Sequence, residues 1–252
     1  MDPWSLYQSR SDVRGVSRRG SMLHRTNDRL TRQIPSILSY HIVFIEGEKR
    51  DIAIINSDNL DTKTICTLPG EDVKHGGIVE WMNQHWIITE RDANTEVYTK
   101  AIMRQCNHLL KWINKSGEVI ERWCIVEDGT RYLTGEFGDN NYVLVRGDSR
   151  ISITIPKDDE TVELDRSSRF IIDDPDTGSP FAYRLTKPFR LGGTYGNDGV
   201  YKFVLAECNT EYDDNLELQI ADYYKHFPRE HIPEDSPTNP TENIADGRGV
   251  WL

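Results

Sequence analysis

Apolar and polar residues alternate along most of this chain in short runs, and turn residues separate the runs. "YHIVFI" and "RDIAIIN" flank "EGEK", a hairpin signal with Gly47 in the turn. "KTICTL" follows and is closed by "PGED". "GGIVEWMNQHWIITERD" folds back at Asn83-Gln84, which brings Trp81 and Trp86 to one tight turn. "NKSG" at 114–117 turns the chain into "EVIERWCIVED". Then come "RYLTGEF", "YVLVRGD", "RISITIP", "TVELD", "RFIID", "AYRLTKPFR", "GVYKFVLAEC" and "LELQIADYY", punctuated by "GDN", "GDS", "PKDD" and "DDPDTGSP". Short strands at this regular spacing indicate barrels or sandwiches.

The ends have a different rhythm. Asp2 followed by Pro3 is a helix start, and Gly15 and Gly20 read as breaks. Ser21 to Gln33 predicts a second helix, with Met22, Leu23 and Leu30 as a thin apolar stripe and an end before Pro35. So narrow a stripe does not drive folding alone, so this arm is expected to pack on another subunit or another protein. After Phe227 the run "PREHIPEDSPTNPTENIADGRG" has little to bury and predicts a mobile tail, with the terminal "VWL" as an apolar anchor. The expected fold is mainly β: a helical docking arm (1–35), a small β-barrel domain (36–148), a second, immunoglobulin-like β-sandwich (149–228) and an acidic, Pro-rich flexible tail (229–252). The join of the two strand sets is placed near 148, at the "RGDSR" turn.

Composition bounds the function. With 252 residues the chain can bury a sizeable core, while 37% apolar and 28% charged residues imply much surface for that core. Net charge is −11, unevenly spread. Arg10, Arg14, Arg18, Arg19, Arg25, Arg29 and Arg32 crowd the first 33 residues, whereas residues 207–252 carry eleven acids against Lys225, Arg229 and Arg248. These ends are either two solvated surfaces, a pair that docks between neighbouring subunits, or a basic segment that faces an anionic partner. An acidic whole argues against a duplex-DNA binder. Cys66, Cys106, Cys124 and Cys208 lack paired spacing, and the start has no secretory h-region, so free thiols in a reducing cytoplasm are expected. No apolar run has the roughly 18–20 residues of a membrane helix.

The stretch "HWIITERDANTEVYTKAIMRQCNHLLKW", 85–112, concentrates reactive side chains. Scored by period two, Ile102, Arg104, Cys106, His108, Leu110 and Trp112 share one face of a continuous strand, and Met103, Gln105, Asn107, Leu109 and Lys111 share the other. That reads as a half-buried wall. A thiol enzyme would need Cys106 and His108 in hydrogen-bond reach beside an oxyanion hole, and no loop of small residues flanks them. His75, His85, Cys106, His108 and Cys124 lack the short spacing of zinc ligands. Among the acid pairs Asp58/Asp61, Asp158/Asp159 and Asp173/Asp174, the 173–178 part of "IDDPDTGSP" is the best calcium candidate, and turn chemistry explains it well enough. "RGD" at 146–148 is accounted for by a strand-ending turn, and "GEFGD" and "LGGTYGNDG" do not fit a phosphate loop. Trp81, Trp86, Trp112, Trp123, Tyr98 and Tyr132 form either a stacking platform or a β-domain's core and interface. No catalytic, cofactor or metal residues are assigned, and the chain is expected not to be an enzyme.

"GGIVEWMNQHWIITERDANTEVYTKAIMRQCNHLLKW" resembles head–tail connector proteins of tailed bacteriophages, in particular the head-closure or stopper component of the neck. The whole chain, from "MDPWSLYQSR" to "ADYYKHFP", resembles uncharacterised structural proteins of phages and of prophages in Gram-positive hosts. Single-domain stoppers are shorter, so the strands after 148 depart from that pattern. The resemblance implies a virion protein assembled in the host cytoplasm: a ring of about six or twelve copies with closing heterologous contacts. Its neighbours would be the portal or adaptor on one side and a tail terminator or tail protein on the other. Packaged DNA would pass through the lumen without sequence specificity, and no membrane would be touched. Trp4, Arg14, Arg18, Arg19, Arg25 and Arg29 are the expected interface, and free strand edges are expected to pair with a neighbour. The long polar stretch 56–77, with Asp58, Asp61, Lys63, Glu71, Asp72 and Lys74, is the expected lumen or tail-contact loop. The alternative is a baseplate, tail or decoration protein whose β-domain binds a glycan or a protein.

Overall fold

The computed structural model describes residues 3–5, 7, 17–92, 96–128, 150–172, 180–190 and 192–228. Residues 3–5 and 7 are helical. Helix α1 spans Arg18–Gln33, three residues longer at its start than predicted. The Ser17 side chain caps it by accepting from the Gly20 N–H at 3.1 Å. Gly20 does not break the helix: it sits in the first turn, where this capping bond holds its backbone. A 3-10 turn, Ile34–Ser36, takes up Pro35 and leads into the first strand.

Six strands then close a barrel: β1 (Tyr40–Ile45), β2 (Glu48–Asn56), β3 (Thr62–Thr67), β4 (Ile78–Trp81), β5 (Gln84–Arg91) and β6 (Lys100–Gln105), in the order β1-β2-β3-β6-β5-β4. All neighbours are antiparallel. The β1–β2 hairpin turns at Glu46-Gly47 and the β4–β5 hairpin at Met82-Asn83, each with both residues at positive φ, as a two-residue turn between twisted strands requires. The second turn comes one residue before the predicted Asn83-Gln84. Val43, Ile45, Ile52, Ile54, Ile65, Val79, Trp86, Ile88, Ala101 and Met103 fill the interior. So small a barrel is packed solid by its own side chains and has no channel. Closure also removes the free edges expected on these strands, so the barrel cannot recruit a neighbour by strand addition.

At Cys106-Asn107 the chain leaves the barrel. The Cys106 N–H still bonds the His85 carbonyl of β5 at 2.8 Å, and the Asn107 N–H already bonds Cys124 of the next sheet at 3.2 Å. The expected continuous strand is therefore two strands, and the buried set changes phase between them. In β6 the buried residues are Ala101 and Met103, not Ile102 and Arg104. In β7 (His108–Ile113) they are Leu110 and Trp112, as the alternation predicts. The two strand sets thus meet at Cys106-Asn107 and not near 148, where residues 129–149 lie outside the described region.

The second sheet is ordered β10-β11-β13-β9-β8-β7. Its members are β7, β8 (Val119–Asp128), β9 (Arg150–Pro156), β10 (Arg169–Ile172), β11 (Phe181–Phe189) and β13 (Asp198–Cys208), with the short β12 (Thr194–Tyr195) paired to β13. The outer strands β7 and β10 approach each other, so this single sheet nearly closes around Leu110, Trp112, Ile153, Ile155, Phe170, Leu185 and Phe203. Two predicted strands are absent. "TVELD" opens instead as helix α2 (Asp159–Val162), because Asp158 and Thr161 form a reciprocal capping box. "LELQIADYY" is a tight turn followed by helix α3 (Tyr223–His226). The predicted strands "RYLTGEF" and "YVLVRGD", the tail 229–252 and the "VWL" anchor lie outside the described residues.

Candidate assembly surface

The barrel's outer wall differs from side to side. On β5, Trp86 and Ile88 point inward, yet the outward Ile87 is also 0% exposed. It is covered by Cys106, Ile125 and Val200, with Ile78 and Trp123 beside them. On β1 and β2 the outward residues Ile42, Phe44 and Ile55 are 52%, 47% and 48% exposed. Leu38, between α1 and β1, is fully exposed. The alternation that makes the inner wall apolar does not require apolar outward residues; these stand among the outward Lys49, Asp51 and Glu80, and no described residue covers them.

The covered side is a joint built at close range. Gly76 and Gly199 meet backbone to backbone: a Cβ on Gly76 would lie 2.0 Å from the Gly199 carbonyl oxygen. The Gly199 N–H bonds the His75 carbonyl at 2.8 Å, and the His75 ring packs 5.1 Å from Tyr195. The His85 and Trp123 rings stack at 4.1 Å. Arg104 grips Glu127 with two hydrogen bonds, 3.2 and 2.7 Å, and lies 3.6 Å from Asp61. The Gly-rich stretch "LGGTYGNDG" belongs here, as the β12–β13 hairpin that touches the barrel, with Leu191 outside the described residues.

The sequence-predicted residues fall as follows. Arg18, Arg19, Arg25 and Arg29 all lie exposed on α1. Arg19 reaches Glu96 at 2.5 Å. Trp4 is exposed and stacks on Tyr7 at 5.6 Å, and Arg14 lies outside the described residues. The helix makes its main packing contact with the 3-10 turn that follows it. Arg25, Arg29 and Arg32, spaced i, i+4, i+7, line a shallow groove with Asp28 and Gln33. The stretch 56–77 is not one loop, because β3 runs through it. Asp58 and Asp61 sit at one end of β3, Lys63 lies on it, and Glu71, Asp72 and Lys74 follow its other end. Asp72 accepts from the Val73 N–H, the Thr99 hydroxyl and Arg91, while Lys74 pairs with Glu46 at 3.1 Å. Asp72 and Lys74 thus make contacts to the barrel while their side chains remain exposed.

The reactive stretch has been folded into walls. Burial pushes the Cys106 thiol up to about 12 and pushes Cys124 up as well, the opposite of an activated thiolate. Among the described residues no three His, Cys, Asp or Glu gather as a metal cluster. The Asp173/Asp174 calcium candidate and "RGD" lie outside the described residues, as does Tyr132 of the aromatic set. Trp86 and Trp112 are core residues, Trp81 packs on Trp86 at 5.8 Å and Trp123 stacks on His85, so these four tryptophans make no exposed platform. No described helix is long and apolar enough to cross a membrane.

Sequence reading missed an ion cluster in the second sheet. Arg169, at the start of the otherwise apolar β10, is 3% exposed at its side chain, and Asp214 is 1% exposed. Two bonds of 3.0 and 2.9 Å join them, and Arg169 also holds Asp222 and the Asn209 carbonyl, each at 3.0 Å. Burial raises the Asp214 carboxyl, but the Glu211 and Asp222 N–H groups and the Arg169 guanidinium outweigh it and hold the group below the usual carboxylate range. The cluster fixes residues 209–222, including the turn whose exposed tip is Leu216, Glu217 and Leu218.

A family model described as the YomX N-terminal domain, from a phage- and prophage-associated family, matches residues 21–105. Nothing among curated proteins or solved structures matches the chain. The matched stretch runs from α1 to the last residue of β6, so the part of the chain that resembles a phage-associated domain is the arm with the closed barrel.

Proposed function

We propose that this protein is a non-enzymatic structural component of a tailed-phage particle. It forms a ring of about six or twelve subunits in the neck that closes the DNA-filled head and joins it to the tail. The observation that carries this reading is the set of exposed apolar outward residues, Ile42, Phe44 and Ile55, on a barrel that resembles a phage-associated domain. A free-standing barrel has no use for such exposure, whereas an assembly subunit buries these residues. The ring partners are the portal or adaptor above and a tail terminator or tail protein below. DNA runs through the hole between subunits, since the barrel itself is filled. A net charge of −11 lets that hole pass phosphates without holding them. The Cys106 and Cys124 thiols, kept protonated by burial, serve as core residues.

The test is to delete the gene from a phage that encodes the protein and to image particles that carry it with a label. DNA-filled heads without tails, and labelled density at the neck, are expected. Normal infectious particles after deletion would overturn the reading, and label at the tail tip would move the protein to the baseplate alternative.

A further inference from the structure

Two exposed parts of the described structure, one on α1 and one after the second sheet, carry opposite charge. On α1, Arg25, Arg29 and Arg32 line one groove together with Asp28 and Gln33, with Arg29 donating to Gln33 at 3.1 Å, and exposed Leu38 follows in the chain before β1. On the second sheet, Leu216, Glu217 and Leu218 form a knob in which one carboxylate stands between two exposed apolar side chains. The knob is rigid. Asn215 and Ile220 exchange backbone hydrogen bonds of 2.9 and 3.0 Å beneath it, and the Asn215 side chain accepts from the Leu218 N–H at 3.0 Å. Just before it, Asp214 is locked by buried Arg169. A buried ion pair is a costly way to hold a loop that only has to be wet, and fixing a contact surface is the use that justifies it.

Ala221, Asp222 and His226, which follow the knob, lie beside Asn114 and Lys115 at the far end of β7.

We propose that the Leu216–Glu217–Leu218 knob of one subunit docks in the Arg25–Arg29–Arg32 groove of a second copy. This inference rests on the ring reading and names its contact. The contact is heterologous, head to tail, so repetition closes a ring when the rotation per subunit divides a full turn. Glu217 meets three guanidiniums, and the two leucines cover the apolar stems of those arginines and Leu38.

The experiment uses the full chain in sedimentation velocity and native mass spectrometry. Wild type is expected to assemble, and added salt to weaken the assembly. Glu217→Arg and Arg29→Glu are each expected to weaken association by about tenfold or more while leaving the far-UV spectrum unchanged, since both sites are exposed. The double variant Glu217→Arg/Arg29→Glu is expected to regain assembly, and an equimolar mixture of the single variants to form alternating oligomers. A monomeric wild type, a Glu217→Arg protein that assembles normally, or a double variant that stays dissociated would each overturn the pairing. The ring reading is judged separately, by neck density and by the particles made after gene deletion, and it survives if assembly persists through other contacts.

Discussion

Two sides of one barrel carry outward apolar residues and meet different fates. On β5, Ile87 is sealed by Ile125 and Val200 from the second sheet and by Cys106 at the crossing. On β1 and β2, Ile42, Phe44 and Ile55 have the same chemistry and half their surface in water. The covered side shows what the chain does with an apolar outer wall when it has a partner for it: two glycines are brought backbone to backbone, and a bidentate Arg104–Glu127 pair spans the seam. The open side has kept the apolar residues without the cover. The difference teaches that the second sheet covers one side of the barrel within the same chain, while the described residues leave the other side open, the side that the proposed assembly would bury.

The largest effects should come from the covered side and its support. Asp214→Ala leaves Arg169 buried without its main counter-charge and is expected to cost about 3–5 kcal/mol in denaturant unfolding. The same pair sets an acid limit. Because the folded Asp214 carboxyl lies below its ordinary value, its contribution is complete above the ordinary carboxylate range and is lost as pH falls through the lowered folded value. Asp214→Asn should therefore flatten that acid slope in a pH series of melts. Ile87→Ala is expected to cost about 2–5 kcal/mol, as for a large core residue. Gly76→Ala should cost about 1–3 kcal/mol, by forcing the joint apart at Gly199 and placing a Cβ at positive φ; hydrogen exchange at Gly199 and Val200 would locate the loss. Ser17→Ala removes the α1 cap and should cost that helix about 1 kcal/mol by exchange of its first amides. Smallest of all, Phe44→Ala on the open side should change monomer stability by less than about 0.5 kcal/mol. If Phe44→Ala and Ile87→Ala cost the same, the two sides do not differ as described.

Much of this architecture is legible in the chain, because a strand states its two faces every second residue. The β1–β2 hairpin, the Trp81–Trp86 corner and the β7–β8 turn at Asn114–Gly117 all follow from local alternation and turn residues. The arginine groove follows from i, i+4, i+7 spacing once the helix is recognised. Other features depend on partners distant in sequence. Alternation through Cys106-Asn107 looks unbroken, because either residue set of β6 is mixed enough to serve as a buried face; only the pairing of β6 with β3 and β5 selects Ala101 and Met103. Leu216, Leu218 and Ile220 alternate like a strand, yet the tip is a turn whose leucines face water because Asn215 bonds back to Ile220 and Leu218. The meeting of Gly76 with Gly199 leaves only glycines that ordinary turns would explain. Arg169 left one clue, a charge opening a strand of wholly buried residues.

Hydroxyl-radical footprinting of the same residues in the isolated subunit and in purified phage particles tests the difference between the two sides most directly. Ile87 should be protected in both, while Ile42 and Phe44 should react in the isolated subunit and become protected in the particle. Equal labelling of Phe44 in the two samples would contradict the account.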